Sequence, residues 1–254
     1  MEDFAEEFEK KGFYLFRNFF LQRELDDFGE VLAKANEEWQ KTNFHPSYVN
    51  SSYLTSLKYC KDRDERIRFF RWISQKKLFS IAKKLIPTGP YFLNTQIFYN
   101  PKDNFKKPYW HRDVQYLGVS EEEQKKIIGK ASVLHFRIPF LDDPGLDFIP
   151  GSHSRWDTEE ERIVRLELDG HGNGEEIYGS KKVPHTKRDL LVFSAHLLHR
   201  GDYSKERFSL DILYTGFKEN SETVKSFQHF PEPDIIDCLE NQDLFATKET
   251  SDTI

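Results

Sequence analysis

The sequence predicts a mainly β protein with flanking helices, in which short strands form a sandwich or barrel. Three observations carry that reading. After Pro90, short runs of aromatic and β-branched residues recur, separated by Pro, Gly and Asp turns. Helical periodicity is concentrated before Pro90, so the order is helices first and then strands. The 254 residues, 15% of them aromatic, are enough for one sizeable ring-rich core.

Taken in order, residues 2–11 read as a short amphipathic helix with Phe4 and Phe8 on one face, ended by Gly12. Phe13–Phe16 is an apolar run of strand length. Residues 21–40 form a longer helix, because Leu21, Leu25, Phe28, Leu32 and Ala35 recur at spacings of three and four. Residues 43–60 are polar and aromatic and read as a loop over a pocket mouth, with Phe44, Tyr48, Tyr53 and Tyr59 as lid candidates. Residues 62–86 read as one helix, stopped by Pro87, Gly89 and Pro90. Tyr91–Tyr99 is the first long strand. Ser120 caps a short helix from Glu121 to Ile128. Ser132–Phe140, Leu146–Ile149, Glu161–Leu168, Leu190–Ser194 and Phe208–Phe217 are the further strand candidates. Residues 218–254 read as a C-terminal extension with a few apolar anchors. No repeat or linker divides the chain, so one domain spans 1–254. Its helical part covers about 1–90 and its β core about 91–217.

Composition narrows the function. The formal net charge is −6, which does not fit the basic surface that nucleic acid demands. Mean hydropathy is −0.71, and no apolar run approaches the roughly eighteen residues of a membrane span. The first residues, MEDFAEEFEKKGF, are acidic and lack the apolar stretch of a secretory signal. Cys60 and Cys238 are too few for a disulfide framework, so a reducing, cytoplasmic location is expected and the sequon at Asn50 is silent.

The chemistry gathers at Trp110-His111-Arg112-Asp113. In an extended segment residues i and i+2 share a face, so His111 and Asp113 can address one metal ion. A lone H-x-D is weak evidence, since about 0.7 such matches arise by chance in a chain with this many His and Asp. His199 strengthens it. It ends the apolar run Leu190–Leu198, eighty-six residues after Asp113, just before an Arg-Gly turn. Two His and one carboxylate with open positions is the facial triad of non-haem Fe(II) oxygenases. His196 competes for the role, and His199 is preferred because it directly precedes the turn. A closed zinc site would need a fourth ligand that the spacing does not offer. Arg207 and Ser209 share a face of the next strand. A guanidinium beside a hydroxyl suits the distal carboxylate of 2-oxoglutarate.

These segments resemble the phytanoyl-CoA dioxygenase family of Fe(II)/2-oxoglutarate oxygenases. The matches, in family order over roughly residues 8–217, begin with Phe13-Tyr14-Leu15-Phe16-Arg17, Gln96-Ile97-Phe98-Tyr99 and Trp110-His111-Arg112-Asp113. They continue with Asp143-Pro144-Gly145-Leu146-Asp147-Phe148-Ile149-Pro150-Gly151-Ser152-His153, Leu198-His199-Arg200-Gly201 and Arg207. The resemblance implies a double-stranded β-helix, a cupin-like jelly-roll barrel with N-terminal helices. It implies His111, Asp113 and His199 as iron ligands, Arg207 as cosubstrate anchor and Gln96 as a cosubstrate or substrate contact. His153 reads as structural. The aromatic contact that the family carries after the metal motif falls on Leu134, His135 or Phe136. Related halogenases replace the carboxylate with a small residue, so Asp113 points to hydroxylation.

The implied reaction couples 2-oxoglutarate and dioxygen to oxidation of a small molecule, releasing succinate and carbon dioxide, with ascorbate as reductant. Lys102, Lys106 and Lys107 precede the metal motif and read as a solvated loop rather than an anion site. The alternatives are a jelly-roll metal- or ligand-binding protein without oxygenase activity, and a cupin-like hydrolase or isomerase using zinc or another metal. Oligomeric state has no signature in the sequence.

Overall fold

The computed structural model describes residues 3–128 and 133–248, so Glu2, Ser132 and the extension beyond Lys248 lie outside the described residues. Helices and two short strands come first: α1 (Phe4–Lys11), β1 (Phe13–Phe16), α2 (Gln22–Asn43), β2 (Asn50–Ser52), α3 (Arg63–Ile73) and α4 (Lys76–Leu85). Then follow β3 (Tyr91–Tyr99), a 3-10 turn at Asp113–Leu117, α5 (Glu121–Ile127), β4 (Val133–Pro139), β5 (Asp143–Phe148) and α6 (Glu159–Arg165). The β region is completed by β6 (Lys181–His185), β7 (Leu190–Ser194), β8 (His199–Gly201) and β9 (Phe208–Thr215). The tail forms β10 (Glu219–Asn220), α7 (Ser221–Phe227), α8 (Pro233–Ile236) and β11 (Thr247–Lys248).

Strands β1 to β9 build two antiparallel sheets that pack as a jelly roll without closing into a continuous barrel, and β10 and β11 pair in parallel as a separate two-stranded piece. The larger has the order β1-β7-β4-β9-β3-β2 and the smaller β6-β5-β8. Alternation along the strands decides what each face meets. Leu134, Phe136 and Ile138 of β4, Leu190 and Val192 of β7, and Leu210, Ile212 and Tyr214 of β9 face the helices and share one core with α2, α3 and α4. Leu191 and Phe193 face the smaller sheet, packing with Phe13, Leu146, Phe148 and Val183. Four inward positions of β4 and β9 are instead polar, His135, Arg137, Ser209 and Asp211, all buried there.

Most predicted elements lie where expected, and four depart. The helix predicted over 62–86 breaks at Ser74-Gln75. Asn241 donates to the Ser74 carbonyl (2.6 Å) and Glu240 accepts from the Lys76 amide (3.0 Å), so the C-terminal tail satisfies the backbone groups that the break exposes. The loop predicted over 43–60 contains β2, an edge strand paired with β3. Glu161–Leu168 is not a strand. Thr158 and Glu161 form a capping box, and acidic residues at 159–161 favour a helix start, so α6 forms. The strand predicted at Leu146 begins earlier, at Asp143, through a bulge in its pairing with β6. There Gly145 takes φ +107°, and a Cβ would sit 2.4 Å from the Val183 carbonyl oxygen.

Candidate metal centre

Trp110 to Asp113 does not form a ladder strand. One antiparallel bridge joins His111 to His199, and the 3-10 turn starts at Asp113. The alternation still holds. Trp110 and Arg112 are fully buried on one side, whereas His111 and Asp113 face a cavity. Trp110 donates its indole N–H to the Glu175 carbonyl (2.8 Å), and the Arg200 guanidinium lies 4.8 Å from its ring centre. Arg112 pairs with Asp157 (2.7 Å) and donates to the carbonyls of Ser152 (2.7 Å) and His196. These two anchors hold the backbone that presents His111 and Asp113.

The bridge is a hydrogen-bonded pair: each of His111 and His199 donates its amide to the other's carbonyl, at 2.9 and 3.0 Å. Side chains of such a pair are neighbours, and the two imidazole centres are 4.2 Å apart. Nδ1 of His111 sits 3.0 Å from the Tyr109 carbonyl oxygen, and Nδ1 of His199 sits 2.9 Å from that of Leu197. A carbonyl can only accept, so each Nδ1 carries the proton and each Nε2 keeps a lone pair. Both Nε2 atoms lie 3.8 Å from Oδ1 of Asp113. The three donor atoms are within 4.8 Å of one another, and among the described residues no fourth His, Cys, Asp or Glu joins them. Two imidazole nitrogens and one carboxylate oxygen, open on the cavity side, fit a divalent transition metal. Burial, reinforced by His111 nearby, pushes the His199 imidazole down to about 3. It therefore stays neutral and able to donate its lone pair.

His135 completes the arrangement, and it was legible only in part. Of the three residues proposed for a contact after the metal motif, Leu134 and Phe136 face the helices and His135 faces the site. Nε2 of His135 lies 2.8 Å from Oδ2 of Asp113, and Nδ1 lies 2.9 Å from Oδ2 of Asp211. Burial opposes charge on His135, but a carboxylate on each nitrogen outweighs it and raises its pKa to about 9. Burial likewise opposes ionisation of Asp113, but the hydrogen bond from His135 holds its carboxyl well below the usual range. Asp211 is gripped in turn by Arg137 through Nε and Nη2, at 2.7 and 2.8 Å. The signal for His135 and Arg137 was present as alternation: two polar residues interleaved with Leu134, Phe136 and Ile138 can share the face opposite the helices.

The cavity has a volume of about 770 Å³, within the usual range for small-molecule sites. Gln96 and Arg207 line it, as does His196, which does not join the three donors. Arg207 is buried, and its guanidinium carbon lies 4.6 Å from the Tyr203 ring centre. Gly201 makes room for it, since a Cβ there would sit 2.8 Å from Nη1 of Arg207. Ser209 departs from the expected clamp. It lies outside the cavity lining, and its hydroxyl donates to Asp143 (2.9 Å). His153 packs against Phe8 and stays outside the cavity. Of the lid aromatics only Tyr48 reaches the cavity, and of the three lysines only Lys106, whose ammonium lies over the Tyr109 ring. Tyr53 stacks on Phe227, Phe44 meets Lys102, and Tyr59 bonds to Asn43.

The family model for phytanoyl-CoA dioxygenase matches residues 8–205. The chain belongs to the phytanoyl-CoA dioxygenase family. The matched span includes His111, Asp113 and His199 and ends just before Arg207. Solved structures share the family member's jelly-roll fold at low identity. EctD from S. alaskensis with 2-oxoglutarate and 5-hydroxyectoine is 15% identical, with a TM-score of 0.57, over 83% of this chain and 74% of that one. The epimerase SnoN with Fe3+, alpha ketoglutarate and nogalamycin RO is 15% identical (TM-score 0.55, 83% and 81% covered). The carbocyclase SnoK from nogalamycin biosynthesis is 13% identical (TM-score 0.57, 85% and 83% covered). No curated protein matches the chain. No helix among the described residues is long and apolar enough to cross a membrane.

Proposed function

We propose that this family member is an Fe(II)- and 2-oxoglutarate-dependent dioxygenase that hydroxylates a small, largely apolar molecule. The observation that carries the reading is the set of three convergent donors, His111 Nε2, His199 Nε2 and Asp113 Oδ1, open toward a cavity that also holds the buried Arg207. The donor set suits iron(II), and an orphaned guanidinium nitrogen, Nε of Arg207, suits a carboxylate ligand. Family membership and the iron- and 2-oxoglutarate-bound neighbours support the same chemistry. Iron(II) and 2-oxoglutarate, when bound, supply dioxygen activation and the electrons that accompany decarboxylation to succinate.

The chain's own residues bind, orient and shield. His111, Asp113 and His199 hold the metal, and the Tyr109 and Leu197 carbonyls fix which imidazole nitrogen faces it. His135 occupies the second oxygen of Asp113, leaving Oδ1 for the metal. Arg207 anchors the distal carboxylate of 2-oxoglutarate, and Gln96 lines the same cavity. Val114, Leu117, Ile127, Val133, Leu213 and Phe217 form an apolar wall, so the substrate is largely apolar. The hydroxyls of Tyr109 and Tyr116, 2.7 Å apart, offer that wall's polar contact. Asp113 fills the position that halogenases leave open for chloride, which favours hydroxylation over halogenation. Neighbours described as an epimerase and a carbocyclase share the fold, so product mass must be read directly.

The test is succinate formation from 2-oxoglutarate with Fe(II), ascorbate and a panel of apolar small molecules. Succinate and a product heavier by one oxygen are expected from the wild type, and neither from His111→Ala. Iron-loaded protein that leaves 2-oxoglutarate intact across the panel would favour a ligand-binding role instead.

A further inference from the structure

A second guanidinium faces the same cavity as Arg207. Arg137 is 2% exposed and commits Nε and Nη2 to Asp211, but its Nη1 is buried with no hydrogen-bond partner. Arg207 is 3% exposed, and its Nε is likewise buried without a partner. Among the described residues no carboxylate pairs with Arg207, whose Nη2 makes one long hydrogen bond, 3.4 Å, to the Tyr99 carbonyl. The two cations share an aromatic neighbour: their guanidinium carbons lie 4.3 and 5.9 Å from the centre of the Phe98 ring. Burial, reinforced by the charge of Arg137, pushes the Arg207 pKa down. Asp211 balances the charge of Arg137 but Arg207 has no carboxylate of its own, and each guanidinium keeps an orphaned N–H, so an anion that accepts from both would satisfy them.

We infer that Arg137 is a second cosubstrate-anchoring residue, whose free Nη1 and Arg207 together hold the distal carboxylate of a dicarboxylic 2-oxo acid. This rests on the cosubstrate assignment proposed above. A carboxylate has two oxygens and several acceptor sites, so it can satisfy both guanidinium groups at once. Asp211 sets the Arg137 fork so that two of its nitrogens are occupied and the third is left for the ligand. Selection against 2-oxo acids that lack the distal carboxylate follows, because they would leave both arginines unsatisfied.

The experiment measures binding to the Fe(II)-loaded protein under anaerobic conditions by calorimetry, with 2-oxoglutarate and with 2-oxovalerate, which has a methyl group in place of the distal carboxylate. Arg137→Gln combined with Asp211→Asn removes both charges of the buried pair. It should weaken 2-oxoglutarate about 10- to 100-fold, the value of one charge-assisted hydrogen bond, and leave 2-oxovalerate unchanged. Wild-type affinity for 2-oxoglutarate in a folded, iron-replete variant overturns the inference. So does an equal loss for both acids, because that change would act through His135 and Asp113 rather than on the distal carboxylate. Should the double variant not fold, Arg137→Lys keeps the charge but lacks the fork. A loss for 2-oxoglutarate alone supports the inference, and unchanged affinity for both acids overturns it. Arg207→Gln separates this from the underlying reading: if wild type and Arg207→Gln bind 2-oxoglutarate equally, the cosubstrate assignment itself fails.

Discussion

Asp113 uses its two oxygens differently. Oδ1 lies between the free nitrogens of His111 and His199, and Oδ2 is held by His135. Asp113→Ala should abolish product and succinate formation while leaving the circular dichroism spectrum close to wild type, because Asp113 joins no apolar cluster and His135 keeps Asp211 as a partner. Wild-type turnover in that variant would remove Asp113 from the site. His135 acts one layer back. It stacks on Phe193, with ring centres 4.6 Å apart, and fixes which Asp113 oxygen is free. His135→Gln should lower affinity for iron or cobalt about 10- to 100-fold, as for other residues that orient a metal ligand, and a direct metal titration reads it. At this scale the sequence was partly legible. H-x-D showed two donors on one face, but that His135 serves Asp113 depends on a contact across twenty-two residues that no local pattern encodes.

At the scale of elements, α6 and its flanks brace the metal loop. The Asp157 side chain is fully buried between Arg112 and Arg165, and the residue sits just before the cap residue Thr158. Removing it strands two buried guanidinium groups. Asp157→Ala should cost about 3–5 kcal/mol in urea unfolding, whereas Thr158→Ala, which removes only a cap, should cost about 1 kcal/mol. Similar losses from both would mean that the Arg112 anchor carries little of the stability here. The misreading of this element has a physical cause. The apolar spacing in Glu161–Leu168 suits a strand as well as a helix, and the cap upstream resolves it. The split between α3 and α4 is similar, because the groups that satisfy the break come from Glu240 and Asn241 at the far end of the chain.

For the molecule as a whole, the C-terminal tail is tied to the core through His229. It is buried among Tyr53, Phe92 and Phe230, with Nε2 3.1 Å from the Leu93 carbonyl oxygen. Burial pushes its pKa down to about 4. The unfolded chain takes up this proton below about pH 6.5, but the folded chain does not until about 4. The contribution is therefore fully present above pH 6.5 and is lost as pH falls toward 4, by at most about 1.4 kcal/mol per pH unit. Chemical denaturation of wild type and His229→Gln across that window should show a shallower pH slope in the variant. Identical slopes would mean that His229 is already protonated in the fold.

The sequence by itself determined what short-range physics writes: the amphipathic helices before Pro90, the alternation that sorts strand residues between two faces, and the residue types able to hold a metal. Propensity, periodicity and i,i+2 geometry act over a few residues, so a linear reading finds them. Tertiary structure decided which of these residues meet. The single bridge between His111 and His199 brings His199, and not His196, to within reach of His111 and Asp113, strand register sets His135 between Asp113 and Asp211, and Arg137 joins Arg207 beside Phe98. Ser209 was turned instead to Asp143. Such pairings depend on how segments far apart in the chain are aligned, and that alignment is settled by the whole core rather than by any segment within it.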